Sequence, residues 1–254
     1  MTKVKIKVSN LYKNFGDHAV LQGVDLEVKE GSSMVILGGS GTGKSVLIKT
    51  IIGLMMPDVG NIEINGQDTT YLSGKARFRI MEKCGFLFQG GALFDSLTIE
   101  DNITFFAEKL YQLSGTKKRD LAAEKLHSVG LHSSILGLFP AELSGGMQKR
   151  VSLARAISTN PEILFFDEPT TGLDPIMSNV INDLIIKTRK DLGATTVTIT
   201  HDMNSAMQIA TDVAMLYEGK ILWNGTKDEI AKTKNSYLHQ FINGLTDGPI
   251  KVDV

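Results

Sequence analysis

Two hydrophobic rhythms alternate along the chain. Met1-Thr2-Lys3-Val4-Lys5-Ile6-Lys7-Val8 switches polar and apolar residue by residue, the signature of a half-buried strand. Residues 4–37 read as short strands around turns at Gly16-Asp17 and Glu30-Gly31. The apolar run Met34-Val35-Ile36-Leu37 is a buried strand, and Leu47, Ile48, Ile51 and Ile52 then mark a helix from Lys44 to about Met55, stopped by Pro57. Asn61-Ile62-Glu63-Ile64-Asn65-Gly66 is a strand entering a turn, and Cys84 to Phe88 another strand. From Asp95 to Pro140 helical spacing takes over, at Leu97, Ile103, Phe106 and Leu110, then Leu121, Leu126 and Val129; Lys117-Lys118-Arg119 reads as a solvated turn within it. Further helices are expected from Ser144 to about Thr159 and from Pro175 to about Asp191, with apolar strands at Ile163 to Phe166 and Thr195 to Thr200.

Strands alternating with helices predict one α/β domain spanning 1–254, a helical subdomain inserted at 95–160 and a C-terminal extension at 236–254. Lys and Arg number 27 against 28 Asp and Glu, so the chain lacks the basic footprint of a general nucleic-acid binder. Cys84 is the only cysteine, which excludes an intrachain disulfide and fits a small core residue beside a strand. No stretch reaches 18 apolar residues, and the N-terminus does not resemble a signal peptide, so any membrane role must come through a partner.

The candidate chemistry collects where strands end. Gly38-Gly39-Ser40-Gly41-Thr42-Gly43-Lys44-Ser45 fits G-x-x-x-x-G-K-[ST] between a strand and a helix. Glycines let successive N–H groups turn inward as a nest for phosphates, Lys44 adds a point charge, and the Ser45 hydroxyl can ligate Mg²⁺. Gln89 ends one apolar strand, Asp167-Glu168 a second and His201 a third, which predicts convergence on one rim of a sheet. Adjacent carboxylates at the end of a buried strand suit a cation or a proton better than a surface turn. Ser144 is a good N-cap, and Gly145-Gly146 leave first-turn N–H groups open to an anion. Phe15 either packs in the core or offers a platform to a purine ring.

These segments in this order resemble the nucleotide-binding subunit of ATP-binding cassette (ABC) transporters, over nearly the whole chain. The resemblance implies a P-loop NTPase core, with a mixed sheet, an antiparallel β-subdomain and an inserted α-helical subdomain. It makes Phe15 the aromatic that stacks on adenine, Gly38 to Ser45 the Walker A loop, Gln89 the Q-loop and Leu143 to Met147 the signature. Asp167 and Glu168 close the Walker B strand, Gly172 to Asp174 form the D-loop, and His201 is the switch histidine. Val20, Val46 and Asp174 join the cofactor-binding set, and Ser45, Gln89 and Asp167 the metal set. Glu168 is implied as general base, with Lys44, Gln89 and His201 at the γ-phosphate. Met147 departs from the Gln of most members. Two copies are expected to sandwich two ATP molecules, each phosphate loop facing Ser144, Gly145 and Gly146 of the other chain.

Gln89 to Phe94, the Leu-Ser-Gly-Gly-Met signature and the tail His239 to Pro249 further resemble Mla-type (MCE-associated) lipid-transport ATPases. That implies an integral permease, an MCE-domain lipid-binding protein, sometimes a STAS-domain protein, and a place on the cytoplasmic side of the inner membrane. The tail is either a docked helix with a frayed end or a partner-binding or dimer-locking extension. An ATPase for another small-molecule transporter remains open, as does a non-transport ABC protein, though the single cassette and absence of sustained heptads speak against the latter. A regulator without hydrolysis is disfavoured by Lys44, Glu168 and His201.

Overall fold

The computed structural model describes residues 3–251. Met1 and Thr2 of the alternating N-terminal stretch, and residues 252–254 of the tail, lie outside them. In chain order the strands are β1 (Val4–Phe15), β2 (His18–Lys29), β3 (Ser33–Leu37), β4 (Val59–Ile64), β5 (Gln67–Asp68), β6 (Cys84–Leu87), β7 (Ile163–Asp167), β8 (Thr195–Thr200), β9 (Asp212–Tyr217) and β10 (Lys220–Thr226). The helices are α1 (Lys44–Ile51), α2 (Gly74–Met81), α3 (Ile99–Tyr111), α4 (Gly115–Ser128), α5 (Gly145–Ala156), α6 (Pro175–Leu192), α7 (Met203–Ile209) and α8 (Ser236–Asn243). The chain divides into two units, one of residues up to Arg77 and from Val197 onward, the other from Phe78 to Thr196.

The first unit holds an antiparallel sheet in the order β2-β1-β4-β5. Its apolar positions pair across strands, Val8 opposite Leu26 and Ile6 opposite both Val28 and Ile64, and all are buried. The expected short strands are in fact two long ones of 12 residues each. Register shifts break the strict alternation that would have revealed their length. In the same unit β3 is buried at all five positions and runs parallel to β9, with Val35 opposite Val213. β10 continues antiparallel from β9. Helix α1 stops at Ile51, short of the expected Met55, because Gly53 turns left-handed at φ 75° well before Pro57. At the C-terminal end, Gln240 in α8 is buried, donating to the carbonyls of Leu245 and Ile250 at 3.2 and 3.0 Å and accepting from the Ile250 N–H at 2.7 Å. Those bonds tie the tail back onto α8 as far as Ile250, so it does not fray there.

In the second unit β6 and β7 pair in parallel, Phe86 opposite Phe165, with their rings stacked at 5.4 Å. Helices α3, α4 and α5 fill the sequence between these two strands. Cys84 is buried at the start of β6. Lys117-Lys118-Arg119 lies inside α4 and is not a turn. The reason is electrostatic: Lys118, its side chain 17% exposed, reaches Asp101 at 2.7 Å and Glu108 at 2.6 Å, both on α3. Burial works to lower the Lys118 pKa, but its hydrogen bonds to the two carboxylates and their negative charge outweigh it and leave the group raised. At the start of α3, Asn102 is fully buried; its amide donates to the carbonyls of Phe94, Leu97 and Thr98 and its oxygen accepts from the Phe94 N–H.

Candidate functional site

The first unit supplies the phosphate loop. Strand β3 is apolar and buried up to Leu37, and the chain then turns through Gly38 to Gly43 into α1. No side chain caps α1, whose N-cap is Gly43 at φ 98°, a conformation only glycine adopts without strain. The first-turn N–H groups therefore have no side-chain competitor for an anion. Lys44 is buried, and its ammonium donates to the carbonyls of Gly38 and Gly39, each at 2.8 Å. Thr42 Oγ1 donates to the Gly39 carbonyl at 3.0 Å. Ser45 and Val46 sit half-buried in the first turn, while Ser40 and Gly41 are exposed at the loop's crest.

Val20 backs this loop: its carbonyl lies 3.0 Å from where a Cβ on Gly43 would stand. A cavity of about 390 Å³ opens beside the crest, lined by Val20, Ser40, Gly41, Thr42, Tyr217 and Glu218 among others. Sequence patterns did not point to Tyr217 or Glu218, because the β9–β10 hairpin carries no motif. Phe15, at the end of β1, is 48% exposed with the Lys13 ammonium 5.6 Å from its ring centroid, so it is not a core residue. His201 is exposed directly after β8. The next residue anchors it: Asp202 caps α7, accepting from the N–H groups of Asn204 and Ser205 and from the Ser205 hydroxyl.

The second unit supplies the carboxylates, the glutamine and the signature. Asp167 and Glu168 are buried, 8% and 7% exposed, where the apolar strand β7 ends. Glu168 holds a left-handed backbone at φ 49°, uncommon for a non-glycine residue and typical of functional turns. Thr171 Oγ1 donates to a Glu168 carboxylate oxygen at 3.1 Å. Lys149 of α5 lies buried next to them, its ammonium 3.5 Å from the Glu168 carbonyl. Burial lowers the Lys149 pKa, more than the attraction of the Asp167 and Glu168 carboxylates raises it. A lysine two residues past a five-residue motif gave no signal in the sequence.

Ser144 caps α5 as expected, its hydroxyl accepting from the Met147 N–H at 3.4 Å. Gly145 is exposed, whereas Gly146 is buried against Met177. Asp174 caps α6, accepting from the N–H groups of Ile176 and Met177. Gln89 is exposed two residues after β6 ends at Leu87. An apolar groove of about 430 Å³ lies nearby, walled by Phe86, Phe88, Phe94, Phe105, Phe106 and Arg155.

Among the described residues no cluster of three or more His, Cys, Asp or Glu could cage a metal alone. Asp167 in the second unit and the Ser45 hydroxyl in the first are each a hard oxygen donor of the kind Mg²⁺ uses alongside waters and phosphates, so each by its chemistry fits that ion.

A buried strand, a glycine nest opening an uncapped helix, and a second buried strand ending in paired carboxylates are the parts of a P-loop nucleotide-binding protein. The chain belongs to the ABC transporter family, which it matches over residues 21–171. It is 36% identical over 251 residues to the Haemophilus influenzae intermembrane phospholipid transport system ATP-binding protein MlaF, covering 99% of this chain and 95% of that one. It is 38% identical over 228 residues to the Synechocystis sulfate/thiosulfate import ATP-binding protein CysA, covering 89% and 62%. Among solved structures it is similar to the ATP-binding cassette MJ0796, dimeric in a post-hydrolysis state with ADP and phosphate. The TM-score there is 0.81 at 32% identity, covering 87% of this chain and 98% of that one. The expected cassette fold is thereby established, and the chain is the ATP-binding, ATP-hydrolysing subunit of an ABC transporter, a class that dimerises and works with a membrane permease. Among the described residues no helix is long and apolar enough to cross a membrane.

Proposed function

We propose that this subunit energises phospholipid movement between membranes, hydrolysing ATP on the cytoplasmic side of the inner membrane while docked on an integral permease. The observation that carries the reading is the match along 99% of the chain to a relative named for intermembrane phospholipid transport. An MCE-domain lipid-binding protein and a STAS-domain protein complete the proposed complex. The helical segment 95–160 serves as its subdomain for permease contact, and the groove walled by Phe94 and Phe105, both exposed, supports that use. Residues 236–254 serve as a partner-binding or dimer-locking extension of the single cassette domain.

In the proposed chemistry Phe15 and Val20 hold the adenine end of ATP. The N–H groups from Gly38 to Val46 cradle the phosphates, with Lys44 exchanging its two loop carbonyls for phosphate oxygens. Ser45, Asp167 and Gln89 would hold Mg²⁺, which when bound would neutralise phosphate charge. Glu168 takes the proton of the attacking water and His201 contacts the γ-phosphate, so positioning and charge do most of the work. Ser144, Gly145, Gly146 and Asp174 act on the nucleotide of a second copy.

Purification from the source cells in mild detergent tests the assignment. A permease recovered together with an MCE protein is the expected result. A different permease with a soluble solute-binding protein would move the reading to small-molecule import, which the likeness to the sulfate/thiosulfate ATPase supports. Recovery with ribosomal or DNA-associated proteins alone would refute the transport role.

A further inference from the structure

Three consecutive residues after Gln89 share an uncommon backbone: Gly90, Gly91 and Ala92 all have positive φ, at 78°, 82° and 49°. Gly90 and Gly91 take up such angles freely, but the non-glycine Ala92 holds one only where its surroundings over-determine it. The Gly91 N–H donates to the Phe88 carbonyl at 2.8 Å, and three further hydrogen bonds to the segment come from α5. Ser152 Oγ donates to the Gly91 carbonyl at 3.0 Å. The two terminal nitrogens of Arg155 fork across the same segment, one donating to Gly91 at 2.8 Å and the other to Ala92 at 2.7 Å. Helix and loop also touch without slack, since a Cβ on Gly91 would stand 2.7 Å from Ser152 Oγ.

We propose that Arg155 is a positioning residue for the ATPase reaction: its guanidinium fork, backed by Ser152, holds the loop that aims Gln89. Among the described residues no carboxylate pairs with Arg155, so its hydrogen-bonding capacity is committed to these loop carbonyls and not to an ion pair. Burial pulls its pKa down, as expected of a cation held by carbonyl dipoles alone. A planar fork is what two successive carbonyls require; a lysine ammonium offers one point charge and no fixed pair of directions. Because the fork stands on the helix that Ser144 caps, the Gln89 loop and the signature are fixed to one rigid element. The loop can change its angle only by carrying α5 with it or by breaking these bonds.

The inference rests on the proposed role of Gln89, and the test separates the two. Steady-state ATP hydrolysis, nucleotide titration, thermal melting and amide hydrogen exchange are measured on the full chain for the native protein, Arg155→Met, Arg155→Lys, Ser152→Ala and Gln89→Ala. Arg155→Met should lower kcat about tenfold to a hundredfold, the loss typical of a reacting group displaced by up to an ångström. Its KM should stay within about twofold, since no ground-state contact to nucleotide is removed. Exchange should quicken across residues 89–92 and stay unchanged across 146–153. Arg155→Lys and Ser152→Ala should fall between it and the native protein. Native kcat and native exchange in Arg155→Met would overturn the proposal, as would quickened exchange throughout α5, which marks a merely structural arginine. If Arg155→Met does not fold, Arg155→Lys decides: native exchange at 89–92 with native kcat would overturn it. Native kcat in Gln89→Ala would remove the role of Gln89 and the proposal with it.

Discussion

Replacing Gly38 with alanine adds one methyl group at the point where β3 becomes the phosphate loop. An ideal Cβ there would lie 2.4 Å from the Leu216 carbonyl oxygen and 2.8 Å from Thr42 Oγ1, where real Cβ atoms essentially never approach below 3.0 Å. The Thr42 hydroxyl can rotate away, but the Leu216 oxygen belongs to the backbone of β9, which pairs with β3 up to Leu37 opposite Met215. Relief therefore requires a main-chain shift of at least 3.0 − 2.4 = 0.6 Å. Overpacking of this kind costs about 1–3 kcal/mol, which at roughly 2–4 °C per kcal/mol is a readily measured fall in Tm. The same shift moves the carbonyl that Lys44 holds and the N–H groups that follow it. Misplacement by an ångström costs about a hundredfold in rate, so a shift of this size should lower kcat/KM for ATP by about tenfold or more. Gly39→Ala is the control, because its Cβ meets nothing closer than Thr42 Cγ2 at 3.9 Å, an ordinary contact. Its Tm should match the native protein or rise slightly as the unfolded chain loses freedom. Melting curves and ATPase assays on both variants decide the matter: equal Tm losses in the two would refute the argument from close approach.

Glu168→Gln should retain ATP binding, lose about a hundredfold or more of kcat and accumulate dimers on a sizing column, since a neutral amide of nearly the same size is a poor base; brisk turnover would contradict the assignment. Asp101→Asn should cost about 0.5–1 kcal/mol near neutral pH, kept small because the Asp101 side chain is 37% exposed. The Asp101 carboxyl is held below its usual value by Lys118, then by Thr98, so its contribution is complete above about pH 4 and lost as pH falls through the lowered value. The Tm gap between native and variant protein should accordingly hold from pH 5 to 8 and close below about pH 4; a gap undiminished at pH 3 would contradict this. Deleting residues 241–254 removes the partners of Gln240 and should weaken recovery of the transport complex while sparing ATP hydrolysis by the purified chain. Undiminished recovery would argue against any role of the tail in assembly.

The parts of the site readable in sequence are those whose chemistry is contiguous. The phosphate loop is eight adjacent residues, and Asp167-Glu168 are neighbours on a strand whose apolar run marks it as buried. Pro57 marks a helix stop in the sequence, but α1 ends earlier, before Gly53, whose left-handed backbone becomes visible only in three dimensions. Lys117-Lys118-Arg119 could not be recognised as helical from its charges, because the acids that accept Lys118 stand on another helix. Lys149 and Arg155 were invisible for a deeper reason. Both donate to backbone carbonyls, which every residue possesses, so the acceptor leaves no trace in the sequence.

Asn102 has a consequence for the order of folding. Its four hydrogen bonds reach no further than eight residues along the chain, yet they shape the segment that carries Phe94 into the apolar groove. By contrast, the Ser33 N–H reaches its partner Thr211 across 178 positions. Loop-closure entropy grows as the logarithm of span, so closing the longer one costs about 2.7 kcal/mol more. The Phe94 side of the groove is thus encoded by short-range contacts and can assemble on the timescale of a helix, ahead of the pairing of β3 with β9 that positions the phosphate loop. A chain still emerging from the ribosome, complete only to α3, already carries every residue of that Asn102 network.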